Sequence, residues 1–163
     1  MNYEPNESGI LLSNFKAKGT LNIVLRNEDN KIIHKQRYNN LVVNIGLAHL
    51  ASRLKDNSAT AMGWMAVGTS NTAAAAGQTL LLSEIARVAC SGVAIVTQNV
   101  TNDAVEYTAS FGAGVGTGNL FEAGIFNVVT ANTATMLCRT VFAQITKGAS
   151  DTMAITWRVA MTA

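Results

Sequence analysis

The sequence predicts a mainly β protein: an antiparallel β-sandwich, jelly-roll-like in its succession of short strands, with one short helix at about 41–55 and an extended N-terminal arm. Three observations predict it. The C-terminal stretch alternates without a break, with Met153, Ile155, Trp157, Val159 and Met161 on one face and Thr152, Thr156, Arg158 and Thr162 on the other, which is the period of a half-buried strand. About eight short apolar runs of this kind are separated by Gly, Asn, Asp and Ser turn signals. Ala, Thr, Asn and Gly make up 70 of the 163 residues and charged residues only 13%, against a usual charged share of roughly 25%. Such a chain is too apolar for disorder and has no apolar run near the roughly 18 residues of a membrane span. It is long enough to bury one core, assigned to 17–163, with 1–16 as the arm.

Along the chain, residues 1–16 show no period, yet Ile10, Leu11, Leu12 and Phe15 follow Pro5 and Gly9. An apolar cluster on an irregular terminus is expected to dock on a surface. Residues 19–38 read as a hairpin: Leu21, Ile23 and Leu25 alternate with polar neighbours, Asn27-Glu28-Asp29-Asn30 turns, and Lys31–Tyr38 returns. In the helix, Val43, Leu47, Leu50 and Leu54 form one apolar stripe, with Asn44 as the N-cap. Residues 62–67 read as a strand and 70–79 as a low-complexity loop or short helical turn. A helical turn is expected at Leu80–Ile85. Residues 93–100 and 103–111 are expected to pair. Gly112 to Gly118 holds four glycines and reads as a mobile hairpin loop, and the strands 119–129, 135–146 and 151–162 complete the pattern.

Residues 1–55 carry a net charge of +4 and residues 56–163 a net charge of −2. The basic residues of the first part form no dense stripe and no aromatics interleave with them, so no nucleic-acid partner is expected. The low charge fits either a surface that faces other protein chains, where charge is depleted, or a β surface with Thr and Asn facing water.

Chemistry is sparse. His34 and His49 stand at no metal-ligand spacing and read as exposed histidines. Glu84, Glu106 and Glu122 lie in separate segments and are expected to meet arginines such as Arg87, Arg139 or Arg158 rather than each other. The run GAGVGTGN at 112–119 follows a strand but precedes another strand, so it lacks the helix N-terminus that a phosphate loop needs. No nucleophile elbow occurs. Cys90 and Cys138 are far apart in sequence and are expected to be reduced, small hydrophobes. Residues 1–5 do not read as a secretory signal.

Four stretches together resemble a module of tailed-bacteriophage virion proteins. They are Asn40–Leu47 continuing through Ala51–Leu54, then Met65–Leu80 (MAVGTSNTAAAAGQTL), then Leu120–Phe126 (LFEAGIF), and last Leu137–Phe142 with Asp151–Trp157 (LCRTVF and DTMAITW). The match spans about 18–162. Ser70 stands where the module usually has Gly, and Cys138 where it usually has Ala. The module occurs in small capsid cement or decoration proteins and also in tail and fibre proteins, and a chain without a shaft or second domain is more similar to the former.

The resemblance implies a non-enzymatic virion structural protein on the capsid surface, made in the host cytoplasm, that binds the major capsid protein and itself as a homo-oligomer, a trimer. It implies no catalytic residue, metal, cofactor, small-molecule substrate, nucleic acid or membrane. The expected contacts are Tyr3, Ile10, Leu11, Leu12 and Phe15 on the arm and Arg26, Lys31, Lys35 and Arg37 on the hairpin. A tail or tail-fibre component is the alternative reading. A carbohydrate-binding module is more remote, because Trp64 and Trp157 both sit in strand patterns that read as core, and a small hydrolase or lyase is more remote still.

Overall fold

The computed structural model describes residues 16–162. Its strands are β1 (Lys16–Arg26), β2 (Ile32–Val42), β3 (Trp64–Gly68), β4 (Glu84–Ala89), β5 (Gly92–Val96), β6 (Ala104–Phe111), β7 (Gly118–Phe126), β8 (Met136–Lys147) and β9 (Thr152–Thr162), and α1 (Asn44–Lys55) follows β2. They form one nine-stranded sheet in the order β4-β3-β7-β8-β2-β1-β9-β6-β5, antiparallel throughout.

The sheet folds over on itself at β2. That strand pairs with β1 along Ile32–Asn40 but with β8 only at Leu41 and Val42. Two leaves result, β2-β1-β9-β6-β5 and β2-β8-β7-β3-β4, and they pack face to face as a sandwich. The order is that of one continuous sheet rather than the two separate sheets of an eight-stranded jelly roll.

The core lies between the leaves. Leu21, Ile23 and Leu25 of β1, Tyr107, Ala109 and Phe111 of β6, and Met153, Ile155, Trp157 and Val159 of β9 meet Met65, Val67, Leu120, Ala123, Ile125, Leu137, Phe142 and Ile145 of the other leaf. The alternation expected in β9 places Trp157 fully inside. Its indole N–H donates to Asn40 Oδ1 at 3.0 Å, as a buried Trp requires. A second, smaller core of Val43, Ala66, Leu81, Phe126, Ala134 and Met136 covers the other face of the second leaf. β7 and β8 are therefore buried on both faces, which explains their near-continuous burial.

Five expectations need correction. The helix buries its apolar stripe only in part: Val43 is buried and Leu50 packs against the core, but Leu47 and Leu54 are 45% and 83% exposed, and Gly46 and His49 are the buried residues within the helix. The cause is Gly46, where a Cβ would overlap the Leu137 carbonyl, so only this face can approach β8. Val43, not Asn44, is the N-cap residue, since β2 runs on to Val42. His49 is thus not an exposed histidine, and burial followed by the nearby Arg53 pushes its pKa below the usual range. Residues 80–83 form no helical turn, because the N–H groups of Leu82 and Ser83 donate to Glu122 instead. The glycine-rich run does not close a hairpin, because β6 pairs with β5 and β9 while β7 pairs with β3 and β8. It crosses between the leaves, with Gly114 and Gly116 at φ +76° and +65°. The Lys147 ammonium ties it down, donating to the Gly112 carbonyl at 2.8 Å and the Asp151 carbonyl at 2.7 Å.

Trp157→Ala is expected to cost roughly 3–5 kcal/mol, the range for deleting a fully buried aromatic, as read from urea unfolding midpoints at unchanged slope.

Candidate functional site

The charged residues divide into those that build the sandwich and those left for contact. All three carboxylates expected to meet an arginine do so. Glu84 receives Arg87 through Nε and Nη2 at 2.9 and 2.7 Å, and the Arg87 guanidinium lies 3.8 Å over the Phe126 ring. Glu106 receives Arg158 at 2.6 Å, half-exposed on the outer face of β6 and β9.

The third pair, Glu122 and Arg139, is wholly buried. Arg139 Nε and Nη2 both reach Glu122 Oε2 at 2.8 Å. Nη1 donates to Gln78 Oε1 at 2.9 Å and Nη2 to the Thr72 carbonyl at 3.0 Å. The Glu122 oxygens also accept the N–H groups of Ser83 and Leu82 at 2.7 and 3.1 Å. The pair therefore pins the Ala-rich segment 72–83 onto β7 and β8. Gly68 leaves room for it, since a Cβ there would collide with the Ser83 carbonyl and the Glu122 carboxylate. Four of the segments that carry the resemblance meet here, the α1 entry, 65–80, 120–126 and 137–142, with Asn44 N–H donating to the Ala76 carbonyl at 2.8 Å and Gly46 abutting Leu137, while Asp151–Trp157 leads into and runs along β9 of the other leaf.

The hairpin residues behave differently. Lys35 pairs with Val24 and Arg37 with Asn22, so both lie on the solvent face of the first leaf, opposite Leu21, Ile23 and Leu25. Lys31, Lys35 and Arg37 are exposed and Arg26 is half-buried, its Nη1 donating to the Asn30 carbonyl. None of the four makes an ion pair among the described residues. The four cations thus make a net basic patch along the β1–β2 hairpin, Arg26 and Lys31 flanking a turn that also carries exposed Glu28 and Asp29, and Lys35 and Arg37 lying further along β2. Tyr3, Ile10, Leu11, Leu12 and Phe15 lie outside the described residues, and Lys16, placed at the end of the arm from the sequence, already belongs to β1.

A polar groove of about 460 Å³ lies at the end of the same leaf opposite that turn, lined by Lys18, Thr20, Asn39, Gln98, Asn99 and Arg158 among others. Its outer wall is held by Asp103, whose carboxylate accepts the N–H groups of Gln98, Asn99 and Val100. Arg158 is occupied by Glu106 and Gln98.

A feature absent from the sequence reading is the β5 edge. β5 pairs with β6 alone and ends the sheet, with Val93 and Ile95 50% and 68% exposed. The signal was present as the lack of any charged residue between Arg87 and Asp103, but only the strand order shows that this neutral stretch is an edge.

Among the described residues no group of His, Cys, Asp and Glu could hold a metal ion, and no helix is long and apolar enough to cross a membrane. Both cysteines are free. Burial pushes the Cys90 thiol up to about 11 and the Cys138 thiol well above its ordinary value. No protein-family model, curated protein or solved structure matches the chain.

Two outcomes follow from these pairs and thiols. Arg139→Met leaves Glu122 buried without its counter-charge and should destabilise by about 3–5 kcal/mol, with segment 72–83 becoming the first site of limited proteolysis. The fold favours the neutral Cys90 thiol, so its contribution is complete below about pH 9 and is lost as pH rises toward about 11. Melting temperatures over that window should fall less steeply for Cys90→Ala than for the wild type.

Proposed function

We propose that this protein is a non-enzymatic bacteriophage virion component of the capsid cement type, which stabilises the head by binding major capsid protein subunits. The observation that carries the reading is the basic patch of Arg26, Lys31, Lys35 and Arg37, which has no ion-pair partner among the described residues and whose Lys31, Lys35 and Arg37 are exposed. The other arginines of the sandwich that lie in strands, Arg87, Arg139 and Arg158, are paired, so charge needed for folding is used internally and the hairpin charge is left for a partner. The partner surface it fits is acidic, and such complementarity sets orientation and encounter rate more than affinity.

The resemblance of the four sequence stretches supports the phage assignment. The sandwich supports the mode of action, because a cement protein needs a rigid body with projecting contacts. Many copies then multiply small individual energies. In this reading the protein acts as a homo-oligomer, a trimer, on the outer capsid surface, with the apolar residues of the arm as further contacts.

The test is binding to heads that lack the protein. Lys35→Glu with Arg37→Glu should leave the unfolding free energy within about 0.5 kcal/mol of wild type, as surface changes do, while abolishing binding. Wild-type binding should weaken as salt rises. Binding that is unchanged in the double variant overturns the role of the patch. Copy number per particle separates a capsid protein, present on the scale of the capsid lattice, from a tail component, present on the scale of a tail.

A further inference from the structure

We propose that β5 is a self-association edge, at which two copies of this chain pair their β5 strands antiparallel about a two-fold axis through Ala94. The contact is separate from the basic patch and does not depend on it.

The argument begins with the face on which β5 places its side chains. Val93 pairs with Tyr107 and Ile95 with Val105. Tyr107 is in the core and Val105 packs against it, so Val93 and Ile95 lie on the core side of the leaf. They are nevertheless half-exposed or more, because the sandwich is closed at β2 and open where the sheet ends. The apolar interior therefore continues out of the molecule along β5.

The edge also lacks the usual protections. Native edge strands avoid intermolecular pairing by carrying Lys, Pro, a bulge or an inward charge. Gly92–Val96 reads Gly-Val-Ala-Ile-Val, and its register with β6 is unbroken. β4, the other end of the sheet, differs: it carries the Glu84–Arg87 pair and a register shift at Val67/Gly68 opposite it.

The composition selects the occupant. No charged residue lies between Arg87 and Asp103, so a like copy meets no repulsion, while a charged strand would bury an unpaired charge. A two-fold axis perpendicular to the sheet keeps the core faces of both copies on the same side. With Ala94 opposite Ala94 of the second copy, Val93 of each chain stands opposite Ile95 of the other. These are β-branched cross-strand pairs of the kind that stabilise sheets, and the small Ala94 lies at the axis. Gly92 and Val96 close the same register at its ends. A two-fold contact joins copies in pairs, so added to the proposed trimer it links two trimers and the assembly holds an even number of copies.

The experiment uses the full chain. Sedimentation of the wild type over a range of concentrations should show a species with an even number of copies. Ile95→Lys should weaken its association about tenfold or more while the melting temperature of the dilute protein holds. Ala94→Cys should form a disulfide-linked dimer on mild oxidation, whereas the wild type, whose two thiols are buried or half-buried, should not. Failure of Ala94→Cys to cross-link in a folded protein overturns the proposal, as does an oligomer that Ile95→Lys leaves intact. Head binding measured on the same Ile95→Lys protein keeps this contact distinct from the basic patch, since loss of self-pairing with retained head binding is the expected result.

Discussion

The Glu122 carboxylate is the constraint on which the second leaf depends. Two fully buried charges carry a desolvation penalty of several kcal/mol each, and the fold offsets it by saturating both groups. Glu122 accepts three N–H donors, Arg139 Nε and the backbone at Leu82 and Ser83, with Arg139 Nη2 in ion-pair contact at 2.8 Å, and Arg139 reaches Gln78 and Thr72 beyond it. The result is that a 12-residue segment rich in Ala, with little side-chain surface of its own, is held by polar contacts. Once it is held, Leu81 comes to rest over Gly124 and joins Phe126, Met136 and Val43 in the second core. The outer face of the second leaf is thereby covered without a second sheet or a long helix.

The same arrangement makes the molecule asymmetric. At β2 the two leaves are continuous, Tyr38 and Phe142 bridge the split at 5.5 Å between ring centroids, and the core is sealed. At the β4 and β5 ends nothing in the described chain completes the sheet, so the apolar face thins out into exposed Val93 and Ile95. Closing the sheet into a barrel would remove its edges altogether. A sheet that stops short retains an edge whose hydrogen-bonding groups and apolar side chains are both available to another chain.

The stretches that make the sequence resemble phage virion proteins serve the scaffold. Met65–Leu80, Leu120–Phe126, Leu137–Phe142 and the entry to α1 all converge on the Glu122–Arg139 node or its immediate neighbours. The surfaces argued to meet partners, the basic hairpin patch and β5, lie mainly outside those stretches. Stability and contact are thus separated: the paired arginines are interior or half-buried, whereas Lys31, Lys35 and Arg37 of the patch make no side-chain hydrogen bond or ion pair among the described residues.

By itself the sequence determined the β character, the β1–β2 hairpin, the limits of β9 and the burial of Trp157, because a two-residue period acts locally and one face of each of these strands is core. It also indicated that the glutamates would meet arginines, since an acid on a buried strand needs a counter-charge. Which arginine meets which glutamate was decided by the tertiary structure, because strand register brings Glu122 and Arg139 together from different strands. The orientation of α1 was decided there too. Periodicity favoured burying Val43, Leu47, Leu50 and Leu54; Val43 is buried and Leu50 packs against the core, but helix–sheet approach distance depends on the smallest residue at the contact, and Gly46 against the Leu137 carbonyl left Leu47 and Leu54 in solvent. The Gly112–Gly118 run was legible as a turn but not as a crossing between leaves, since local φ preferences are the same in both. The β5 edge was hidden for the same reason: an apolar run reads alike in the middle of a sheet and at its end, and only the order of strands shows which hydrogen-bonding groups are left without a neighbour.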